Sequence, residues 1–223
     1  MLGACGRAGS TFAPALPNSG VVVSEGSSPA FGWRATSGTL YATQGLGWTG
    51  PVVDPHSGGP ASSNSAVFRL VSTEHDFGDV RVSLRFRFAA PSHVADAAES
   101  AFDGIHLWLR YQSPAEVYAV SLTRRDGLLV VKRKAAGGPS NGGTYTTLGR
   151  TDLVVAALAW HSAEATAVDE DDGVRITLSL DGQEVFDVLD SEPGRLSLPG
   201  AVGLRGDNTE FWFSDFVACA LGG

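Results

Sequence analysis

Val80-Arg81-Val82-Ser83-Leu84-Arg85-Phe86-Arg87-Phe88 decides the fold. Val80, Val82, Leu84, Phe86 and Phe88 alternate with Arg81, Ser83, Arg85 and Arg87. A period of two puts the first set on one face of a β-strand and the second on the other, whereas a helix would scatter both. The stretch Gly104 to Gln112 repeats the pattern, with Ile105, Leu107, Leu109 and Tyr111 against His106, Trp108 and Arg110. Next, Glu116 to Arg124 and Leu128 to Lys134 read as a hairpin about the turn Arg125-Asp126-Gly127. Upstream, Phe31 to Thr43 reads as a hairpin around Ser37-Gly38. Downstream, Trp160 to Val168 and Val174 to Leu180 flank the acidic turn Asp169 to Gly173. Asp181-Gly182 then turns the chain into Gln183 to Leu189, and the last strands are Ala201 to Arg205 and Phe211 to Cys219. The segments between are read as connections: an exposed loop over 49–64, a short helix or loop over 91–101, and a flexible loop over 137–143 that contains Asn141-Gly142.

Roughly a dozen short strands, with turn signals at sandwich spacing, describe an all-β chain. Its 28 glycines and 11 prolines are spread through 223 residues and fit many turns. The expected architecture is a two-sheet antiparallel β-sandwich, a jelly roll, formed by residues 20–223 as a single domain behind a flexible leader, 1–19. No apolar run approaches the roughly 18 residues of a membrane span. The net charge of -8 excludes a general nucleic-acid binder but not a local basic patch. Cys5 and Cys219, near the two ends, are either a terminal disulfide or two free thiols. Leu2-Gly3-Ala4-Cys5 has the form of a lipoprotein cleavage box without the apolar segment that directs export. Either the reading frame starts upstream and the protein is extracellular or attached to the cell envelope, or these residues are a disordered arm.

If the polar faces of three strands line one concave sheet, they gather Arg85, Arg87, His106, Trp108, Arg110, Tyr118, Lys132 and Lys134. That would be a basic, aromatic groove on an acidic protein. It suits an acidic polysaccharide, because guanidinium forks bind uronate carboxylates and Trp108 offers an apolar face to a sugar ring. A β-elimination is then available: an arginine such as Arg110 neutralises the carboxylate, His106 or a tyrosine removes the neighbouring C5 proton, and Tyr118 protonates the leaving oxygen. Competing readings stand beside each residue. Arg110 and Tyr118 can be structural, and Lys132 to Lys134 can be a charged edge that discourages strand pairing. The run Asp169 to Asp172 is a solvated turn or a set of oxygen ligands for Ca²⁺, without EF-hand spacing. There is no zinc spacing, phosphate loop or serine-nucleophile motif.

Ordered fragments over residues 31–218 resemble the concanavalin A-like lectin and glucanase superfamily. They are Trp33 with Gly38 and Leu40, Arg110-Tyr-Gln112 followed by Tyr118-Ala-Val120, Arg125-Asp-Gly127 with Val131-Lys132, Trp160-His161, Leu180-Asp181-Gly182, Gly203-Leu-Arg205, and Phe213-Ser-Asp215-Phe-Val217. The resemblance implies a jelly roll whose partner is a polysaccharide or oligosaccharide, and it fixes no reaction. The glucanase pattern Glu-x-Asp-x-Glu is absent, which argues against a retaining glycosidase, whose two carboxyls stand about 5 to 5.5 Å apart. By analogy with relatives, Asp215 is the candidate for a structural Ca²⁺, and no other cofactor is implied. Three readings stay open: an acidic-glycan binding module, a polysaccharide lyase, and a protein-interaction or adhesion domain.

Overall fold

The computed structural model describes residues 10–52, 66–92 and 98–222. Among them there is no helix, and every strand pairing is antiparallel. Seven strands form a front sheet in the order β11 (Gly143–Asp152), β10 (Leu128–Ser140), β9 (Glu116–Arg124), β8 (Gly104–Ser113), β15 (Ala201–Asp207), β6 (Val67–Ser72) and β3 (Trp33–Ser37). The back sheet runs β14 (Gln183–Asp190), β13 (Gly173–Leu180), β12 (His161–Glu170), β7 (Val80–Phe88), β16 (Phe211–Ala220), β5 (Leu46–Trp48), β4 (Thr39–Thr43) and β2 (Ser19–Ser24), with β1 (Thr11–Phe12) also on β16. This is the expected two-sheet sandwich.

The core lies between the sheets and is built from alternating positions. On β7 the inward set is Val80, Val82, Leu84, Phe86 and Phe88, as the period of two requires. Trp33 is fully buried and meets Phe12 and Phe216 edge-on, with ring centroids 4.8 and 4.9 Å away. Such edge-to-face contacts add to the area the rings bury.

Two expectations change. Trp33–Ser37 and Thr39–Thr43 are not a hairpin: β3 joins the front sheet and β4 the back sheet, and Gly38, at φ +74°, carries the chain across the corner. The leader is not loose throughout, because Thr11 and Phe12 pair with Cys219 and Ala218, and Phe12 is in the core. Cys219 is disulfide-bonded; Cys5, the chain's other cysteine, lies outside the described residues. So do most of the loop expected over 49–64, whose first residue Thr49 is fully buried, and positions 93–97 of the segment 91–101.

Candidate functional site

The outward positions of the front sheet gather the chemistry. On β8, β9, β10 and β15 the residues that alternate with core positions are His106 and Trp108, Ala119 and Ser121, Lys132 and Lys134, and Arg205. With Tyr145 of β11 and Phe102 ahead of β8, they line a cavity of about 390 Å³.

Tyr145 organises the cationic wall. The ammonium groups of Lys132 and Lys134 lie 5.6 and 5.1 Å from its ring centroid. Arg205 Nη1 donates to its hydroxyl at 3.3 Å. Arg205 is held by Asp207 through Nε and Nη2, at 2.6 and 2.9 Å, and Arg124 is held by Asp126. Among the described residues neither Lys132 nor Lys134 forms an ion pair with a carboxylate; Lys134 donates to the Pro114 carbonyl. Burial, and then the Arg124 charge for Lys132 and the Arg205 charge for Lys134, lower the pKa of both lysines. Positive charge is therefore crowded here without enough acid to cancel it.

His106 is neutral in this setting. Its Nε2–H donates to the Phe102 carbonyl at 3.0 Å and its Nδ1 accepts from the Ser121 hydroxyl at 3.2 Å. Burial, reinforced by Arg205, pushes its pKa down to about 3. Both ring nitrogens are engaged, so His106 is ill suited to abstract a proton.

The expected eight-residue groove does not form, for reasons visible at each strand. Arg85 and Arg87 belong to β7 and so face outward from the back sheet, across the core from His106. Arg110 turns inward: a β-bulge opposite β15 and a φ of +50° shift the alternation by one, burying Arg110 completely and sending Tyr111 outward. Arg110 donates to the carbonyls of Gly78 and Leu196 and to the carboxylates of Asp79 and Asp169, at 2.8 to 3.1 Å, and ties loops together. Tyr118 occupies the inward parity of β9 and is fully buried. Its hydroxyl donates to Asp190 at 2.7 Å and accepts from the Leu196 N–H at 2.9 Å. Burial first, and the bond to Asp190 second, push its pKa well above the ordinary tyrosine value, so it is no proton donor to an external sugar. Arg133, also inward, completes that buried group by donating to Asp190 at 2.7 Å. Asp215 is an exposed residue of the back sheet bonded to the Ser214 hydroxyl, and the described residues hold no group of three or more His, Cys, Asp or Glu placed for a metal. The front cavity thus keeps His106, Trp108, Lys132 and Lys134 of the expected set.

No family model matches the chain, and no curated protein matches it. Solved structures do. A protein of unknown function with galectin-like fold from Bacillus subtilis aligns with a TM-score of 0.57 at 12% identity, over 84% of this chain and 89% of that one. The carbohydrate binding module CBM66 from Bacillus subtilis aligns at 0.56 and 13%, over 83% and 93%. A double mutant of the alginate lyase Aly36B, in complex with alginate tetrasaccharide, aligns at 0.56 and 10%, over 96% and 97%. The fold is the galectin-like jelly roll.

On this jelly roll the front face extends past the cavity. Trp108 and Tyr111 stack with planes 7° apart and centroids at 5.1 Å, and beyond them a hollow of about 480 Å³ is lined by Arg34, His75 and Gln112 among others. Arg69 stands directly opposite Arg205 on the neighbouring strand and pairs with no carboxylate among the described residues. Like charges facing each other across a ladder repel.

Proposed function

We propose that the jelly roll binds an acidic polysaccharide along the outer face of its front sheet. The observation that carries this reading is the wall around Tyr145, where two lysines without carboxylate partners and the Arg205 guanidinium converge on one aromatic ring. Ammonium and guanidinium groups supply charge-assisted bonds to uronate carboxylates, and the faces of Tyr145 and exposed Phe102 supply apolar contact to sugar rings. Trp108 is 4% exposed and serves as floor instead of platform. The CBM66 and Aly36B likenesses support a sugar ligand on this fold.

A second reading, a lyase, is favoured by Tyr145 itself, the tyrosine hydroxyl in the cationic wall. Lys132 and Lys134 would neutralise the uronate carboxylate, Tyr145 with its hydroxyl deprotonated would take the proton from C5, the C4–oxygen bond would break as the C4=C5 double bond forms, and the phenol so formed would return that proton to the departing glycosidic oxygen.

Calorimetric titration with oligomers of guluronate, mannuronate and galacturonate, against neutral cello-oligosaccharides, tests the proposal. Binding of a uronate oligomer is expected, weakened about tenfold or more by Lys134→Gln or Tyr145→Ala. Tighter binding of the neutral sugars, or no binding of any, contradicts it. A rise in absorbance from a conjugated double bond, lost in Tyr145→Phe, would assign the lyase reaction.

A further inference from the structure

Arg85 and Arg87, displaced from the front groove, belong to another constellation. Across the outer face of the back sheet, β7, β16, β5 and β4 set Arg87 opposite Trp212, Trp212 opposite Trp48, and Trp48 opposite Tyr41. These four side chains form one row at right angles to the strands, about 14 Å long at ~4.8 Å per strand step. The planes of Trp48 and Trp212 are 7° apart with centroids at 6.3 Å, and Tyr41 lies 5.5 Å from Trp48. The Arg87 guanidinium is 5.4 Å from the Trp212 centroid, and the Arg85 guanidinium is 5.2 Å from Trp160.

Nothing inside the fold requires this row. Inward positions of the same strands, Leu40, Ala42, Phe211 and Phe213, already supply the core. Tyr41, Trp48, Trp212 and Arg87 are all partly exposed, and Trp160 and Arg85 are exposed. Three large aromatic side chains aligned on a solvent face leave apolar surface in water, which is unfavourable unless something covers it. The charges narrow what that is. Although the chain carries 24 acidic residues against 16 basic ones, neither Arg85 nor Arg87 is ion-paired to a carboxylate among the described residues, and Arg87 Nε is buried without a hydrogen-bond partner. The acid at the row is Glu210, whose Oε1 accepts from Trp48 Nε1 at 2.9 Å. Guanidinium forks seek carboxylate or sulfate oxygens, aromatic side chains seek the apolar faces of sugar rings, and a carboxylate held by an indole can accept from sugar hydroxyls.

We infer that the back sheet carries a second glycan site, a row from Arg85 and Arg87 through Trp212 and Trp48 to Tyr41, that takes an acidic oligosaccharide on the face opposite the front cavity. The inference stands on its own residues and does not depend on the front groove binding anything. If both faces are occupied, one chain bridges two polymer strands, and avidity exceeds that of either face alone.

The test uses the full chain and four probes: oligoguluronate, oligogalacturonate, a chondroitin sulfate oligosaccharide and a neutral dextran oligomer. Three variants are compared by calorimetry: Trp48→Ala with Trp212→Ala; Arg85→Gln with Arg87→Gln, which leaves the rings in place; and Lys134→Gln with Tyr145→Ala, which strikes the front cavity only. Circular dichroism and the thermal midpoint check that each folds. The expected result is binding that survives the front variant and is weakened about tenfold by either back variant, with two sites per chain in the wild type. Survival of all binding in both back variants overturns the back site and leaves the front reading standing. Loss of all binding in the back variants, with none in the front variant, supports the back site and removes the front reading. Equal, arginine-independent binding of a neutral dextran oligomer overturns the acidic ligand class, and a row that binds none of the probes overturns the inference.

Discussion

At the residue scale, the chemistry-bearing side chains divide by which way they face. Arg110 and Tyr118 face in and spend their polar groups on the fold. Arg110→Ala strands the Gly78 and Leu196 carbonyls and two carboxylates, and is expected to lower unfolding free energy by about 3 kcal/mol or more, read from the urea midpoint. Tyr118→Phe leaves Asp190 and the Leu196 N–H short of a partner and is expected to cost about 1 to 3 kcal/mol while leaving glycan affinity unchanged. An unchanged midpoint in either variant would refute its structural assignment. His106 gives a pH signature. Its folded pKa of about 3 lies below the ordinary value of 6.5, so below pH 6.5 the unfolded chain takes up a proton that the folded chain refuses. Stability is therefore lost as pH falls from 6.5 towards 3, at up to about 1.4 kcal/mol per pH unit. Burial raises the Asp207 carboxyl and works in the opposite sense, so the difference between wild type and His106→Gln isolates the histidine. The two should diverge in pH dependence between pH 6.5 and 5; parallel curves would mean that His106 is not held neutral.

At the element scale, the alternation of β7 and most of β8 was legible, since a period of two needs no knowledge of partners. Arg110 was not, because its inward turn depends on a bulge formed against β15, and no local pattern announces which residue a bulge will displace. Tyr118 was misplaced by one step of parity: a tyrosine reads as amphipathic, although Val120 and Leu122 mark its inward face, and its hydroxyl is accommodated there by the distant partner Asp190. Asn141-Gly142 was a missed signal. These residues, at φ +46° and +80°, are the tight hairpin turn joining β10 to β11, and the dipeptide read as a strand connection would have placed Tyr145 on the strand beside β10; that Tyr145 stands opposite Lys134 depends on the register shift between Ala136 and Ser140. Arg205 was quoted for resemblance but not for chemistry, although Val202 and Leu204 mark its outward parity. Close strand packing also sets a limit at Gly203, where an added Cβ would sit 2.2 Å from the Leu70 carbonyl oxygen. Gly203→Ala must push β15 from β6 and is expected to cost about 1 to 3 kcal/mol in chemical unfolding. A neutral result would show that β15 can shift freely.

At the scale of the whole molecule, a chain of net charge -8 keeps cations without carboxylate partners, among the described residues, on the outer faces of both sheets: Lys132, Lys134 and Arg69 in front, Arg85 and Arg87 behind. Segregation of this kind makes binding of a polyanion salt-dependent, since the Debye length falls from about 10 Å at 0.1 M salt to about 3 Å at 1 M. Ligand binding to the folded state alone also stabilises it, by about 2.7 kcal/mol at a hundredfold excess over Kd, which for a domain of this size raises Tm by roughly 5 to 10 °C. Lys134→Gln with Tyr145→Ala should remove the front cavity's share of both effects together. The fold alone could not locate that cavity, because the jelly roll offers two outer faces and sequence alternation does not say which strands share one. The most direct measurement is a crystal structure of the protein with a uronate tetrasaccharide. The expected result is a carboxylate within hydrogen-bonding distance of Lys132, Lys134 or Arg205 and a sugar ring against Tyr145. A ligand ordered elsewhere, with the front cavity of the same crystal empty, would contradict it.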